Sequence, residues 1–293
     1  MKQLLLIVNP IAGTRKAARK LDKIQEIFTQ AGYETHTHIT ARRGDAGQAV
    51  KEHGGQMDLI VCCGGDGTLN ETVAGILEGG LPVPVGYIPA GSTNDFANSL
   101  HLSSDILEAA RRITQGQVQC YDLGKFGHHF FNYIASFGAF TAASYGCSQT
   151  AKNLLGHFAY ILKAAQELPK IHKEHIRLEV DGRVVEGEYL FGAICNSTSV
   201  AGVMSLNPKL VDMRDGKFEI LLIRPPKNIC ELSRCIKALL SQSLDCEMIT
   251  FLTGTNLKVT ANPKLVWSLD GERAEGKKTI CIKNLHHQLR LVH

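Results

Sequence analysis

The chain has 293 residues and a mass of 32.0 kDa, which at about 150 residues per domain suggests two domains with full cores and excludes a peptide or disulfide-stapled miniprotein. Hydrophobic residues make up 44%, charged residues 20% and mean hydropathy is -0.04, an ordinary globular composition that is neither disordered nor membrane-spanning. A net charge of +4 and a pI of about 8.5 fall short of a dedicated nucleic-acid module, yet they suit phosphate ligands or an anionic membrane surface.

Lys2 to Val8 reads as a buried strand, Asn9 to Gly13 as a tight loop, and Arg15 to Ala31 as a helix whose apolar stripe includes Leu21, Ile24, Ile27 and Phe28. The apolar run Leu4 to Val8 is too short for a signal-peptide core, so the chain is expected to stay in the cytoplasm. Gly32 closes the helix, Thr35 to Thr40 alternates like a strand, Asp45 to His53 suits a helix, and Asp58 to Cys63 is a second buried strand ending in glycines. Thr68 to Leu77 resumes as helix and Val83 to Ile88 is a further strand. This alternation predicts an α/β fold with a parallel, doubly wound sheet over roughly the first 120 residues.

After Tyr121 the pattern changes. Arg177 to Val180, Val184 to Ile194, Phe218 to Ile223, Asn256 to Thr260 and Thr279 to Ile282 predict a mainly antiparallel β domain. Helices are expected near Leu154 to Leu168 and Cys230 to Ser241, and Asp181-Gly182 suits a hairpin turn.

Nine cysteines, two of them adjacent at 62 and 63, and no C-x-x-C indicate neither a disulfide framework nor a zinc ribbon, so most read as reduced, buried small hydrophobes. The pairs His128/His129 and His286/His287 lack partners at metal-ligand spacing and read as structural or solvent-facing.

Gly64-Gly65-Asp66-Gly67-Thr68 follows a buried strand and precedes a helix, at the carboxyl edge where parallel sheets bind ligands. Glycines let backbone approach a polyphosphate, helix-start amides favour anions, and Thr68 offers a hydroxyl. The charge of Asp66 makes sense with Mg2+ between it and a phosphate; the plain reading is a glycine turn with a capping acid. Asn9-Pro10-Ile11-Ala12-Gly13 and Pro89 to Ala97 end two other strands and should converge on the same edge. Asn94 and Asp95 read best as helix caps.

The motifs N-P-x-x-G (Asn9 to Gly13), G-G-D-G-T-L-N-E (Gly64 to Glu71) and P-A-G-S-T-N-D-F-A (Pro89 to Ala97) closely resemble the diacylglycerol kinase catalytic domain, in its soluble bacterial lipid kinase branch. The resemblance continues through Tyr121-Asp122-Leu123-Gly124 at a domain junction, Gly156 to Tyr160, and Leu269-Asp270-Gly271-Glu272. It implies an NAD kinase- and phosphofructokinase-like nucleotide-binding domain over 1–125, onto which 285–293 packs back, and a β-sandwich-like lipid-substrate domain over 126–284. Asn9, Pro10, Ile11, Ala12, Gly13, Thr40, Gly64, Gly65, Asp66, Gly67, Thr68, Leu69, Asn70 and Ser92 match nucleotide-contact positions. Glu272 matches the catalytic base with Asp270 beside it, and Asp122 an acid that joins Asp66 in a water and Mg2+ network. Asp212, Asp215 and Lys217 match positions that hold a structural Mg2+, the first and last through carbonyls. Three departures stand out: Thr14 where relatives often carry Lys, Ser92 for Thr, and one extra residue in Pro208 to Asp215.

The function so implied is ATP- and Mg2+-dependent phosphoryl transfer to a lipid hydroxyl, diacylglycerol to phosphatidic acid. An NAD kinase-like small-molecule kinase and a non-catalytic lipid-sensing protein on the same fold are the alternatives; Asp66 and Glu272, both present, speak against the second. The expected partners are a lipid met peripherally and reversibly at a membrane surface, no nucleic acid, and as an option a second copy in a homodimer. Apolar surface beside the acceptor could come from Ser136 to Tyr145 and the helix near Leu154 to Leu168, with core packing the plain reading for most of these side chains.

Overall fold

β1 (Lys2–Val8) is buried over its last five residues, as a strand must be when helices cover both faces of its sheet. The computed structural model describes residues 1–13, 16–138, 173–200 and 204–293. Thr14 and the expected helix near Leu154 to Leu168, with the Gly156 to Tyr160 motif, lie outside the described residues. The chain forms two units, Met1–Leu123 with Leu285–His293, and Gly124–Asn284.

In the first unit α1 (Lys16–Arg19) and α2 (Leu21–Gln30) replace the single helix expected over Arg15 to Ala31. The break is Lys20, which leaves helical geometry at ψ 10° and restarts the helix. β2 (Tyr33–Ile39), α3 (Asp45–His53), β3 (Leu59–Gly64), α4 (Asp66–Glu78), β4 (Val85–Pro89), the short α5 (Asp95–Ser99), α6 (Ile106–Gln115) and β5 (Val118–Phe126) follow. α4 starts earlier than expected, on Asp66, where a carboxylate complements the helix dipole. α6 was not among the sequence expectations, although Asp105 caps it by accepting from the Leu107 and Glu108 amides and its buried Ile106, Ala109, Ala110 and Ile113 fall at helical spacing.

β2, β1, β3 and β4 pair in that order, all parallel. The chain winds one way from β1 to β2 and the other way from β3 to β4, which makes the β1/β3 boundary a topological switch point. Leu291 and Val292, at the end of β18 (Thr279–Val292), extend this sheet parallel to β4. Leu4, Leu6, Val61 and Ile88 from the strands, with Ile24, Phe28, Ala110 and Ile113 from α2 and α6, form its core.

The second unit is antiparallel, with β6 (His129–Phe131), β7 (Ile134–Gly138), β8 (Glu174–Val180), β9 (Arg183–Tyr189), β10 (Phe191–Cys195), β11 (Ser199–Val200), β12 (Met204–Ser205), β13 (Phe218–Ile223), α7 (Ile229–Leu240), β14 (Ile249–Gly254), β15 (Asn256–Thr260), β16 (Val266–Leu269) and β17 (Glu272–Glu275). One sheet runs β14-β13-β10-β7-β16-β17; in the other, β15 lies between β8, itself paired with β9, and the first half of β18. Side chains of both sheets meet in one core, where Trp267 packs edge-on against Phe126 and Phe137 at 4.9 and 5.0 Å.

The strand expected over Val184 to Ile194 is two strands. β9 pairs with β8 and β10 with β7 and β13, so the chain changes sheets at Leu190, whose amide donates to the Ile223 carbonyl. Asp181 and Gly182, at φ 45° and 86°, make the expected hairpin turn. β18 is far longer than the expected Thr279 to Ile282, and it changes phase: Ile280, Ile282 and Asn284 are buried early, Leu289 and Leu291 late. The shift from even to odd positions needs one extra residue, and His287 at φ 58° supplies the bulge. No helix among the described residues is long and apolar enough to cross a membrane. The eight described cysteines are free; Cys62, Cys63, Cys195 and Cys235 are buried as expected, while Cys230 and Cys281 are exposed.

Candidate active site

Three loops leave the carboxyl ends of β1, β3 and β4, and their glycines let the backbones touch. A Cβ on Gly13, itself at φ 52°, would lie 2.5 Å from the Ala90 carbonyl oxygen, and one on Gly91 would lie 2.6 Å from the Gly65 Cα. Side chains then lock the loops. Asn9 donates from Nδ2 to Thr68 Oγ1 at 3.0 Å and accepts the Ile11 amide on Oδ1 at 3.1 Å. Asn94 accepts the Gly91 amide at 2.9 Å and donates back to the Gly91 carbonyl at 3.0 Å. This corrects the cap reading for Asn94: it stands at the N-cap of α5 in left-handed geometry but makes no capping bond, and it staples its own loop instead.

Asp66 opens α4 with its carboxylate at the centre of these loops. Oδ2 accepts the Asp95 amide at 3.0 Å, and Oδ1 lies 3.5 Å from the hydroxyl of buried Tyr87, which also reaches Asn94. Asp95 is thus buried and serves Asp66 through its backbone. Thr40 sits beside the end of β1, its amide donating to the Val8 carbonyl at 2.9 Å. Glu71 accepts the Gly44 amide at 2.7 Å and so ties the Thr40 loop to α4. Ser92 and Ile11 are exposed, while the Leu69 side chain is fully buried, leaving it no surface to offer a ligand.

Asp122, on β5, is 0% exposed. Its Oδ1 accepts the His287 amide at 2.9 Å and meets His286 Nδ1 at 2.9 Å. The two imidazoles stack with centroids 3.7 Å apart, and the ligating atoms of Asp122, His286 and His287 all lie within 4.8 Å of one another. Both histidines are exposed, as the solvent-facing reading expects, but the fold gives them in Asp122 a partner that their spacing in the sequence does not show.

In the second unit Asp270 and Gly271, at φ 50° and 84°, form a two-residue turn that pairs Leu269 with Glu272. The buried Asp270 carboxylate accepts three amides, from Asn132 at 2.6 Å, Tyr133 at 3.0 Å and Ile134 at 3.1 Å. That occupation makes Asp270 an anchor for the turn, with the partly exposed Glu272 presented next to it at the start of β17.

Residues 3–126 match the diacylglycerol kinase catalytic domain, and residues 135–292 match the YegS C-terminal NAD kinase beta sandwich-like domain. The diacylglycerol kinase of Bacillus subtilis (strain 168) is 34% identical over 275 residues, covering 93% of this chain and 90% of the relative. This chain belongs to the diacylglycerol kinase family. That of Staphylococcus carnosus (strain TM300) is 31% identical over 276 residues, covering 92% and 89%. A diacylglycerol kinase from Bacillus anthracis str. Sterne has the same fold, with a TM-score of 0.77 at 23% identity over 100% of this chain and 97% of that one. As a member of the family the chain is a lipid kinase, and a kinase takes ATP as phosphoryl donor. Neither the NAD kinase-like nor the non-catalytic alternative is better supported.

In this family member the turn before β13 gathers negative charge. Asp212 accepts the Arg214 amide at 3.0 Å and Asp215 the Lys217 amide at 2.9 Å, while the Lys217 carbonyl accepts from Asn284 at 3.1 Å. Sequence reasoning missed Glu219, 2% exposed on β13, whose Oε2 has no hydrogen-bond partner. Burial first, then repulsion from Asp215 and Asp212, pushes its carboxyl up to about 8. A single acid inside an otherwise apolar strand was the available signal. Tyr87 had none, since its role depends on the neighbouring loops. Of the stretch proposed to line the lipid, Ser136 and Phe137 are buried, and 139–145 lies outside the described residues.

Proposed function

We propose that the chain transfers the γ-phosphoryl group of ATP to the free hydroxyl of diacylglycerol, giving phosphatidic acid at a membrane surface that it meets reversibly. The observation that carries this reading is the convergence of three glycine loops around Asp66 in a chain whose relatives are named diacylglycerol kinase. Backbone amides of Asn9 to Gly13 and of the first turn of α4 are suited to phosphate oxygens, with Thr40, Asn70 and Ser92 as further nucleotide contacts. Asp66 and Asp122 are the carboxylates for a phosphate-bound Mg2+, which would neutralise the charge of the transferring group. Glu272 accepts the proton of the attacking hydroxyl. Asp270 positions it by fixing the turn on three amides.

A structural Mg2+ would be held by the Asp215 carboxylate and the carbonyls of Asp212 and Lys217. The donor set fits a hard cation: oxygen ligands only, with the buried Glu219 Oε2 and Asn284 Oδ1 unpartnered in the same turn-and-strand region.

The test is incubation of the purified chain with γ-labelled ATP, Mg2+ and mixed micelles carrying diacylglycerol, ceramide or no added lipid, resolved by thin-layer chromatography. Label migrating with phosphatidic acid only in the diacylglycerol arm is the expected result. Label transferred only to another lipid would overturn the acceptor assignment.

A further inference from the structure

Adjacent residues of a regular strand point to opposite faces of the sheet. His286 and His287 do not, because His287 takes φ 58° and its ring turns to stack on that of His286 at 3.7 Å. The backbone bend is held by the buried Asp122, whose Oδ1 accepts the His287 amide while fixing His286 through Nδ1, both at 2.9 Å. β5 and β18 thus assemble one carboxylate and two imidazoles from positions remote in sequence.

We propose that, in the chain without bound nucleotide, Asp122, His286 and His287 form a binding site for a borderline divalent transition metal of the Zn2+ and Co2+ type. Imidazole nitrogen with one carboxylate is the donor set such ions prefer, whereas Mg2+ prefers oxygen ligands and water. Bonds of about 2.1 Å around a tetrahedral ion set its ligands about 3.4 Å apart. The three ligating groups, all within 4.8 Å of one another, reach that spacing once the two imidazoles turn out of their stack, so that the lone pairs of both rings point at one ion. The His286 side chain is 52% exposed, which gives an ion a direct route in from solvent. Three protein ligands leave a position for water, so the ion is exchangeable.

The full chain, free of nucleotide and lipid, is titrated with Co2+ and followed by absorption; omitting both substrates keeps this test independent of the kinase assignment. We expect one equivalent bound with visible d–d bands, without the near-ultraviolet thiolate band that cysteine ligation gives, and displaced by Zn2+. His286→Gln and His287→Asn, the latter chosen because Asn tolerates left-handed geometry, should each weaken binding at least about tenfold, the loss typical for a removed ligand interaction. Unchanged affinity in both variants, or a dominant thiolate band, overturns the site. Should a variant fail to fold, the parent chain decides: Zn2+ should protect His286 and His287 from diethyl pyrocarbonate while the exposed His53 and His175 stay reactive. Equal modification at all four histidines also overturns it.

Discussion

Two acids of one short motif have different surroundings, and kinetics should separate them. The Asp270 carboxylate is spent on three buried amides, whereas Glu272 stands partly exposed next to it. Glu272→Gln should lower kcat by about 100-fold or more while leaving the KM for ATP and the melting temperature near parent values, because only proton acceptance is lost. Asp270→Ala should lower both melting temperature and kcat, since buried amides left unsatisfied cost on the order of 1–3 kcal/mol each. If Glu272→Gln keeps parental kcat in steady-state assays, the base lies elsewhere. Glu219 gives a second residue-scale expectation. Its carboxyl is raised from 4.5 to about 8, so between those values the folded chain binds a proton that the unfolded chain releases. This contribution to stability is full at low pH and falls as pH rises through the window. In chelator, the parent melting temperature should therefore decline from about pH 5 to about pH 9 more steeply than that of Glu219→Gln; parallel curves would remove Glu219 as the cause. Glu219 was legible only as one acid in an apolar strand, a signal that does not tell what faces it. Asp66, by contrast, was legible at once from its glycine neighbours.

At the scale of elements, loops at the ends of β1, β3 and β4 are held by contact between backbones, so the glycines there are steric requirements. Gly91→Ala would set a Cβ 2.6 Å from the Gly65 Cα and 2.7 Å from Asn94 Oδ1, forcing the second and third loops apart. The expected outcome is a KM for ATP raised about tenfold or more with a modest fall in melting temperature, since the core of the sheet is untouched; an unaltered KM would show that the spacing of these loops does not matter to the nucleotide. Elements with a regular local pattern were read correctly from sequence: Lys2–Val8, Asp45–His53, Phe218–Ile223 and Asn256–Thr260 have the expected bounds. Period and flanking glycines determine such segments locally. The change of sheet at Leu190 escaped because β9 and β10 differ in partner rather than in pattern, and partners are set by the distant β8, β7 and β13. The histidine pair escaped for a related reason: a one-residue bulge reverses facing, and its third member comes from β5.

At the scale of the whole molecule, the α/β unit is discontinuous in sequence, with Leu291 and Val292 paired to β4 and Val292 buried in its core. A fragment of residues 1–125 should consequently melt without cooperativity or aggregate, because β4 is left with an open, apolar edge. Adding 285–293 through a flexible linker should restore a cooperative transition by circular dichroism, and a sharply melting 1–125 would refute the requirement. The α/β-then-antiparallel architecture was readable because strand–helix alternation gives way to short alternating strands. The same closing strand has a consequence for how the protein comes into being. A ribosome makes the glycine loops of the first unit before all of Gly124–Asn284, and only afterwards the segment that completes the first sheet. The nascent first unit must therefore wait, unfinished and in need of shielding, while the domain that follows it in the chain is free to mature before it.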